Sequence, residues 1–208
     1  MKTILCYGDS NTYGSDPVKG GRHGLDVRWA GVLRKQLGDR YWVIEEGLGG
    51  RTTIWDDPYE PDRNGKAYLT PCLMTHRPID LVVLMLGTND LKRRFSLSPY
   101  DIASGAGVLI DLIRRSECGP DSGAPQVLLI CPPPLAKLTH LADMFAGGTE
   151  KSQQLVLYYK QRADEFGCTF LDAGQVIVSS DLDGIHFEAD QHHKLGLAVA
   201  EKVRTILG

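Results

Sequence analysis

The sequence predicts an α/β fold, a three-layer α/β/α sandwich on a five-stranded parallel sheet. Three observations lead there. Short apolar runs ending in turn residues recur at Thr3–Tyr7, Trp42–Glu46, Leu81–Leu86, Gln126–Cys131 and Thr169–Asp172. Some of these runs scarcely alternate, Leu81-Val82-Val83-Leu84-Met85-Leu86 most plainly, as expected of strands covered on both faces. Between the runs lie stretches whose apolar residues repeat at helical spacing.

Taken in order, Thr3–Tyr7 is the first strand and delivers Gly8-Asp9-Ser10 at its carboxyl end. Asp26 is placed to cap a helix running through Leu37, with Trp29, Val32, Leu33 and Leu37 on one face. Trp42–Glu46 follows as the second strand, then an irregular stretch, Thr52–Asn64, carrying Trp55, Pro58, Tyr59 and Pro61. After the third strand, Ser98-Pro99-Tyr100-Asp101 sets a capping serine, a proline at the first helical position and a first-turn acid ahead of Ile102, Ala106, Leu109, Ile110 and Ile113. The fourth strand runs into Pro132–Gly148, and the last helices are expected from about Thr149 to Phe166 and about Ala189 to Ile206. Both irregular stretches leave carboxyl ends of strands, where open α/β sheets place their ligands.

With 208 residues, the chain is read as a single domain, 1–208, and a chain of that size buries about 70% of its unfolded surface without disulfides. Apolar residues make up 42% and charged residues 24%, and the net charge is −3 with both signs dispersed. That pattern offers no basic stripe for nucleic acid and no polybasic membrane anchor. No run reaches ~18 apolar residues, and Ile4–Tyr7 is too short for a signal segment. A cytoplasmic protein with a small-molecule partner is expected, with no nucleic acid and no membrane. Five cysteines, Cys6, Cys72, Cys118, Cys131 and Cys168, are odd in number and lack C-x-x-C or Cys/His metal spacing, so they read as buried thiols.

Ser10 stands just past the first strand, and a serine there is often only a helix cap. A serine hydroxyl attacks carbonyls only with a base in hydrogen-bond reach and a third group to orient that base. Asp183-Gly184-Ile185-His186, between the last strand and the last helix, supplies both from one short loop. A turn eased by Gly184 folds the carboxylate back on the imidazole and fixes the tautomer whose other nitrogen accepts a proton. His192 and His193 fall within the last helical pattern and read as a solvated face; His23, His76 and His140 have no acid at a suggestive spacing.

Stabilising an oxyanion takes donors, each worth about 3 to 4 kcal/mol in the transition state. The loop after the second strand, Gly47-Leu48-Gly49-Gly50, offers the Gly50 N–H unobstructed by a side chain, and Gly87-Thr88-Asn89-Asp90 after the third offers the Asn89 amide. Alone, each has a plain use as a turn. Their weight comes from convergence, because four strand ends on one sheet edge hold nucleophile, donors, base and orienter.

The order of these motifs resembles the SGNH (GDSL-like) hydrolase superfamily, with Ser10, Gly50, Asn89 and the Asp183–His186 pair matching its four blocks across nearly the whole chain. Asp26-Val27-Arg28-Trp29, Glu45-Glu46-Gly47-Leu48, Arg51-Thr52-Thr53 and Pro132-Pro133-Pro134-Leu135 look like its bacterial arylesterase and acyltransferase branch. That resemblance implies hydrolysis of short-chain aryl, alkyl or sugar esters, acyl transfer to alcohols or peroxide in some members, and oligomers. The branch's apolar, tryptophan-rich start after the serine is here Asn11-Thr12-Tyr13-Gly14-Ser15, a polar rim that favours hydrolysis over transfer.

The expected mechanism is a Ser10–His186–Asp183 triad, an oxyanion hole of the Ser10 and Gly50 N–H groups with the Asn89 amide, and no metal or organic cofactor. Asp9 is expected to stiffen the nucleophile loop. Asn11, Tyr13, Thr88, Phe145 and Ile185 are the expected pocket walls, and a homo-oligomer is expected from Trp55, Tyr59 and Tyr68. The competing reading is a flavodoxin-like small-ligand binding or signalling module, since such a sheet hosts many functions. It leaves Gly50, Asn89 and the Asp183–His186 pair without a task.

Overall fold

The computed structural model describes residues 1–208. Five parallel strands, β1 (Lys2–Gly8), β2 (Tyr41–Gly47), β3 (Leu81–Met85), β4 (Gln126–Cys131) and β5 (Thr169–Asp172), form one sheet in the order β2-β1-β3-β4-β5. The chain leaves β1 in one direction to make β2 and returns past it to make β3. Strand order therefore reverses beside β1, the kind of point where α/β sheets open a crevice for ligands. Register keeps the crevice level, with Gly8 opposite Gly47 on one side and Met85 on the other.

The helices are α1 (Ser10–Tyr13), α2 (Trp29–Leu37), α3 (Gly65–His76), α4 (Pro99–Arg114), α5 (Gly148–Phe166) and α6 (Ala189–Leu207). Leu81, Val83 and Met85 pack with Trp29, Leu33, Leu195 and Val199 on the α2/α6 side. Val82 and Leu84 pack with Leu69, Ile102, Leu109 and Leu155 on the α3/α4/α5 side. Burial on both faces is why β3 reads as an unbroken apolar run. Each such Leu or Ile contributes about 1.5 to 3 kcal/mol when removed from water.

Helix α4 starts as the sequence predicts: the Ser98 hydroxyl accepts from the Asp101 N–H at 3.2 Å and an Asp101 oxygen accepts from the Ser98 N–H at 3.0 Å. Such a capping box contributes about 1 kcal/mol. One expectation is corrected. Asp26 does not cap α2: the helix starts at Trp29 after Arg28, with no side-chain cap, and a turn from Gly24 to Arg28 precedes it. Helix α3 carries little sequence signal, because Pro71 interrupts its ladder and its apolar residues form only a weak stripe. Its start is nonetheless marked by Asn64, whose side-chain oxygen accepts from the Lys66 N–H at 3.0 Å. No helix is long and apolar enough to cross a membrane.

Candidate active site

Ser10 opens α1 directly after β1, and the Asp9 carboxylate accepts the Asn11 N–H at 2.9 Å, which holds that short turn in shape. His186 Nε2 lies 2.9 Å from Ser10 Oγ, and His186 Nδ1 lies 2.7 Å from Asp183 Oδ2. With the Nδ1 proton donated to Asp183, the Nε2 lone pair faces the serine hydroxyl. Asp183 Oδ1 also accepts the Ile185 and His186 N–H groups at 2.8 and 2.9 Å. Burial alone would raise the Asp183 pKa, but the His186 ring and these backbone donors outweigh it and hold the carboxylate at about 2.

The loop from Ser180 to His186 is closed on itself by Gly184 N–H to Ser180 O at 2.7 Å and Ser180 N–H to His186 O at 2.9 Å. Gly184 takes φ +85°, and a Cβ there would meet the backbone nitrogen of Leu138 at 2.9 Å. Only glycine fits that approach. The Pro132–Gly148 stretch thus braces the base loop, adding a bond from the Ala136 N–H to Gly184 O at 2.9 Å.

Gly50 also has positive φ, +78°, and a Cβ there would fall 2.8 Å from a Glu60 carboxylate oxygen. Neither the Ser10 nor the Gly50 N–H donates to another protein group, so both are free for a ligand. Asn89 is buried and its amide donates to Arg51 O at 3.1 Å; the amide's second hydrogen is left for a ligand.

Most of the expected pocket residues are buried. Phe145 and Ile185 are both buried and pack with the core that holds Leu135 and Leu155. Asn11 is 1% exposed and its amide donates to Ile185 O at 3.2 Å, tying α1 to the base loop. Thr12 is buried as well, so Asn11 and Thr12 make no polar rim. Thr88 is buried just before a single 3-10 turn over Asn89–Leu91. Tyr13 keeps a half-buried ring, covered by the Arg22 guanidinium at 4.1 Å. His192 is not on a solvated face: it is fully buried, accepting the Trp29 N–H at 3.3 Å.

Three residues do more than their sequence context suggests. Arg51, 3% exposed, donates to Gly8 O at 2.8 Å and Glu46 O at 2.5 Å, joining the ends of β1 and β2. Asp90 accepts the Thr53 N–H at 3.0 Å and its hydroxyl at 2.5 Å, joining the loops after β2 and β3. Burial raises the pKa of Asp9 and of Asp90 to about 6. Lys92, also buried, pairs with Asp57 at 3.4 Å and Glu60 at 3.0 Å and anchors the Thr52–Asn64 stretch. A cleft of about 490 Å³ lined by Glu46, Leu48, Arg51, Asn64 and Tyr68 lies beside the Gly50 loop but does not reach Ser10.

The chain is similar to solved structures over its whole length. The native aryl esterase of M. smegmatis is 46% identical with a TM-score of 0.96, both chains being covered fully. A carbohydrate acetylesterase from Sinorhizobium meliloti is 42% identical with the same TM-score and full coverage of both chains. A lipase/acylhydrolase from Enterococcus faecalis, at 17% identity, shares the fold alone, with a TM-score of 0.72 over 99% of this chain and 96% of its own. No curated protein matches the sequence. The family model for GDSL-like lipases and acylhydrolases matches residues 6–194, a span that holds Ser10, Gly50, Asn89, Asp183 and His186, and the chain belongs to the GDSL-like lipase/acylhydrolase family.

Proposed function

We propose that this carboxylic ester hydrolase cleaves short acyl esters through an acyl-enzyme on Ser10. The observation that carries the proposal is the unbroken hydrogen-bond chain from Ser10 Oγ through His186 to Asp183. His186 takes the serine proton as Oγ attacks the ester carbonyl, and Asp183 stabilises the imidazolium. The Ser10 and Gly50 N–H groups and the free Asn89 amide hydrogen receive the oxyanion. His186 returns the proton to the leaving alcohol. Water, activated by the same base, then releases the acid and frees the serine; an alcohol or peroxide entering in its place would take the acyl group instead.

Aryl acetates and acetylated sugars are the proposed substrate classes, supported by the aryl esterase and carbohydrate acetylesterase at more than 40% identity. A short acyl preference is supported by the position of Ser10, which is 7% exposed and outside the neighbouring cleft. Methylenes that find apolar surface gain ~0.8 kcal/mol each, whereas those left in water gain nothing. A series of nitrophenyl esters tests this: kcat/KM is expected to fall at least about tenfold from acetyl to octanoyl. A rise through octanoyl contradicts it. We also place the protein in the cytoplasm, a reading that its five free cysteines support.

A further inference from the structure

The sequence shows no metal-binding spacing among its cysteines and histidines, yet the fold assembles a mixed set of donors away from Ser10. Cys72 and His76 lie four residues apart on α3, so they share a helix face. Glu46, at the end of β2, reaches them across the layer. One ligand atom from each, the Glu46 carboxylate oxygen, Cys72 Sγ and an imidazole nitrogen of His76, lie within 4.8 Å of one another. We infer that Glu46, Cys72 and His76 form a binding site for one divalent cation of the zinc class.

The donor chemistry selects the ion. A thiolate with an imidazole and a carboxylate suits zinc or cobalt, whereas magnesium and calcium require oxygen ligands. Bonds of about 2.0 to 2.3 Å in a tetrahedron set donors about 3.3 to 3.8 Å apart, so rotamer adjustments of about an ångström draw this set closed. His76 Nε2 is already 2.9 Å from Glu46 Oε1, and the cation takes the place of the proton they share. Of the three donors, Glu46 lines the 490 Å³ cleft, so the set is approached from there, and a water would complete the tetrahedron.

Charges and protons balance. Thiolate and carboxylate together neutralise a dication. On binding, Cys72 releases its proton to solvent, and His76 coordinates through Nε2 with its ring proton on Nδ1. Burial and the Glu46 charge push the free Cys72 thiol up to about 12, and a bound cation removes that opposition. Arg51 is the unfavourable neighbour. Its guanidinium is held against the Tyr7 ring at 4.3 Å and by the carbonyls of Gly8 and Glu46, so it lowers the affinity without filling the site.

The test is titration of the metal-stripped full chain with Co²⁺, followed by competition with Zn²⁺. One ion per chain should bind with a thiolate-to-cobalt charge-transfer band in the near ultraviolet, and Zn²⁺ should remove that band. Cys72→Ser should abolish the band. His76→Gln and Glu46→Gln, at half-buried positions outside the core, should each weaken Zn²⁺ binding at least about tenfold with circular dichroism unchanged, which keeps the test decisive even where Cys72→Ser fails to fold. The inference is overturned by a wild-type chain that shows no band, by a band that survives Cys72→Ser, or by affinity indifferent to both His76→Gln and Glu46→Gln.

Discussion

His186 Nε2 lies 2.9 Å from Ser10 Oγ although 176 residues separate them in the chain. Two strand ends bring them together, and two braces hold them there: Asn11 bonded to Ile185 O, and the Pro132–Gly148 stretch bonded to Gly184. Ser10→Ala and His186→Ala should each remove nearly all activity on phenyl acetate. Because the groups act as one unit, the double mutant should be scarcely slower than either single mutant. Retention of more than about a tenth of wild-type activity by Ser10→Ala, far above what the residual site supplies, would be incompatible with the assignment.

Asn89→Ala should lower kcat about a hundredfold or more with little change in KM, since its free amide hydrogen acts on charge that appears only in the transition state. Steady-state kinetics on a nitrophenyl acetate separates the two parameters. A change confined to KM would move Asn89 from the oxyanion to ground-state binding.

Buried His192 predicts a pH dependence of stability. Burial, with the His23 charge second, depresses its pKa to about 3, below the unfolded value of about 6.5. The unfolded chain therefore binds the extra proton between those values, and stability present above pH ~6.5 is lost as pH falls toward 3. Asp9 and Asp90 act in the opposite sense: with pKa values raised to about 6, they contribute stability below pH ~4 that is lost as pH rises through 6. Subtracting a variant isolates the histidine. His192→Gln, which keeps an acceptor for Trp29, should flatten the fall in urea-unfolding free energy between pH 7.5 and 4.5; an unaltered slope would show that His192 does not carry it.

Trp55 and Tyr59 are 37% and 75% exposed, on a stretch whose shape is fixed by buried Asp57 and its partners Lys92 and Arg94. Exposed aromatics on a stiff loop suit an interface core. We therefore expect a homo-oligomer, with light scattering after gel filtration giving a multiple of 22.9 kDa at micromolar concentration. Trp55→Asp with Tyr59→Asp should return the monomer mass. A wild-type chain that runs only as monomer contradicts the expectation.

All five strands and the starts of α4 and α6 were legible because their cause is local, in apolar runs and, for α4, a capping box. So was the meeting of Ser10, Asp183 and His186, since each stands in a loop at a strand's carboxyl end. What stayed hidden depends on packing across the sheet. Phe145 and Ile185 stand beside irregular loops in sequence, and nothing there shows that both pack with the core. Asn11 looks like a rim because nothing near it in sequence reveals that its amide reaches Ile185. His192 reads as a surface residue until α6 is seen to press that face onto α2. Arg51 carries no motif signal of its own, since its partners are backbone carbonyls contributed by two different strands.

Covalent labelling tests most directly whether Ser10 is the nucleophile activated by His186. Incubation with a fluorophosphonate followed by peptide mass spectrometry should place one label per chain on Ser10, none in Ser10→Ala, and slow labelling in His186→Ala. Ester hydrolysis that continues undiminished while Ser10 stays unlabelled, or a label on another residue that tracks the loss of activity, would contradict the account.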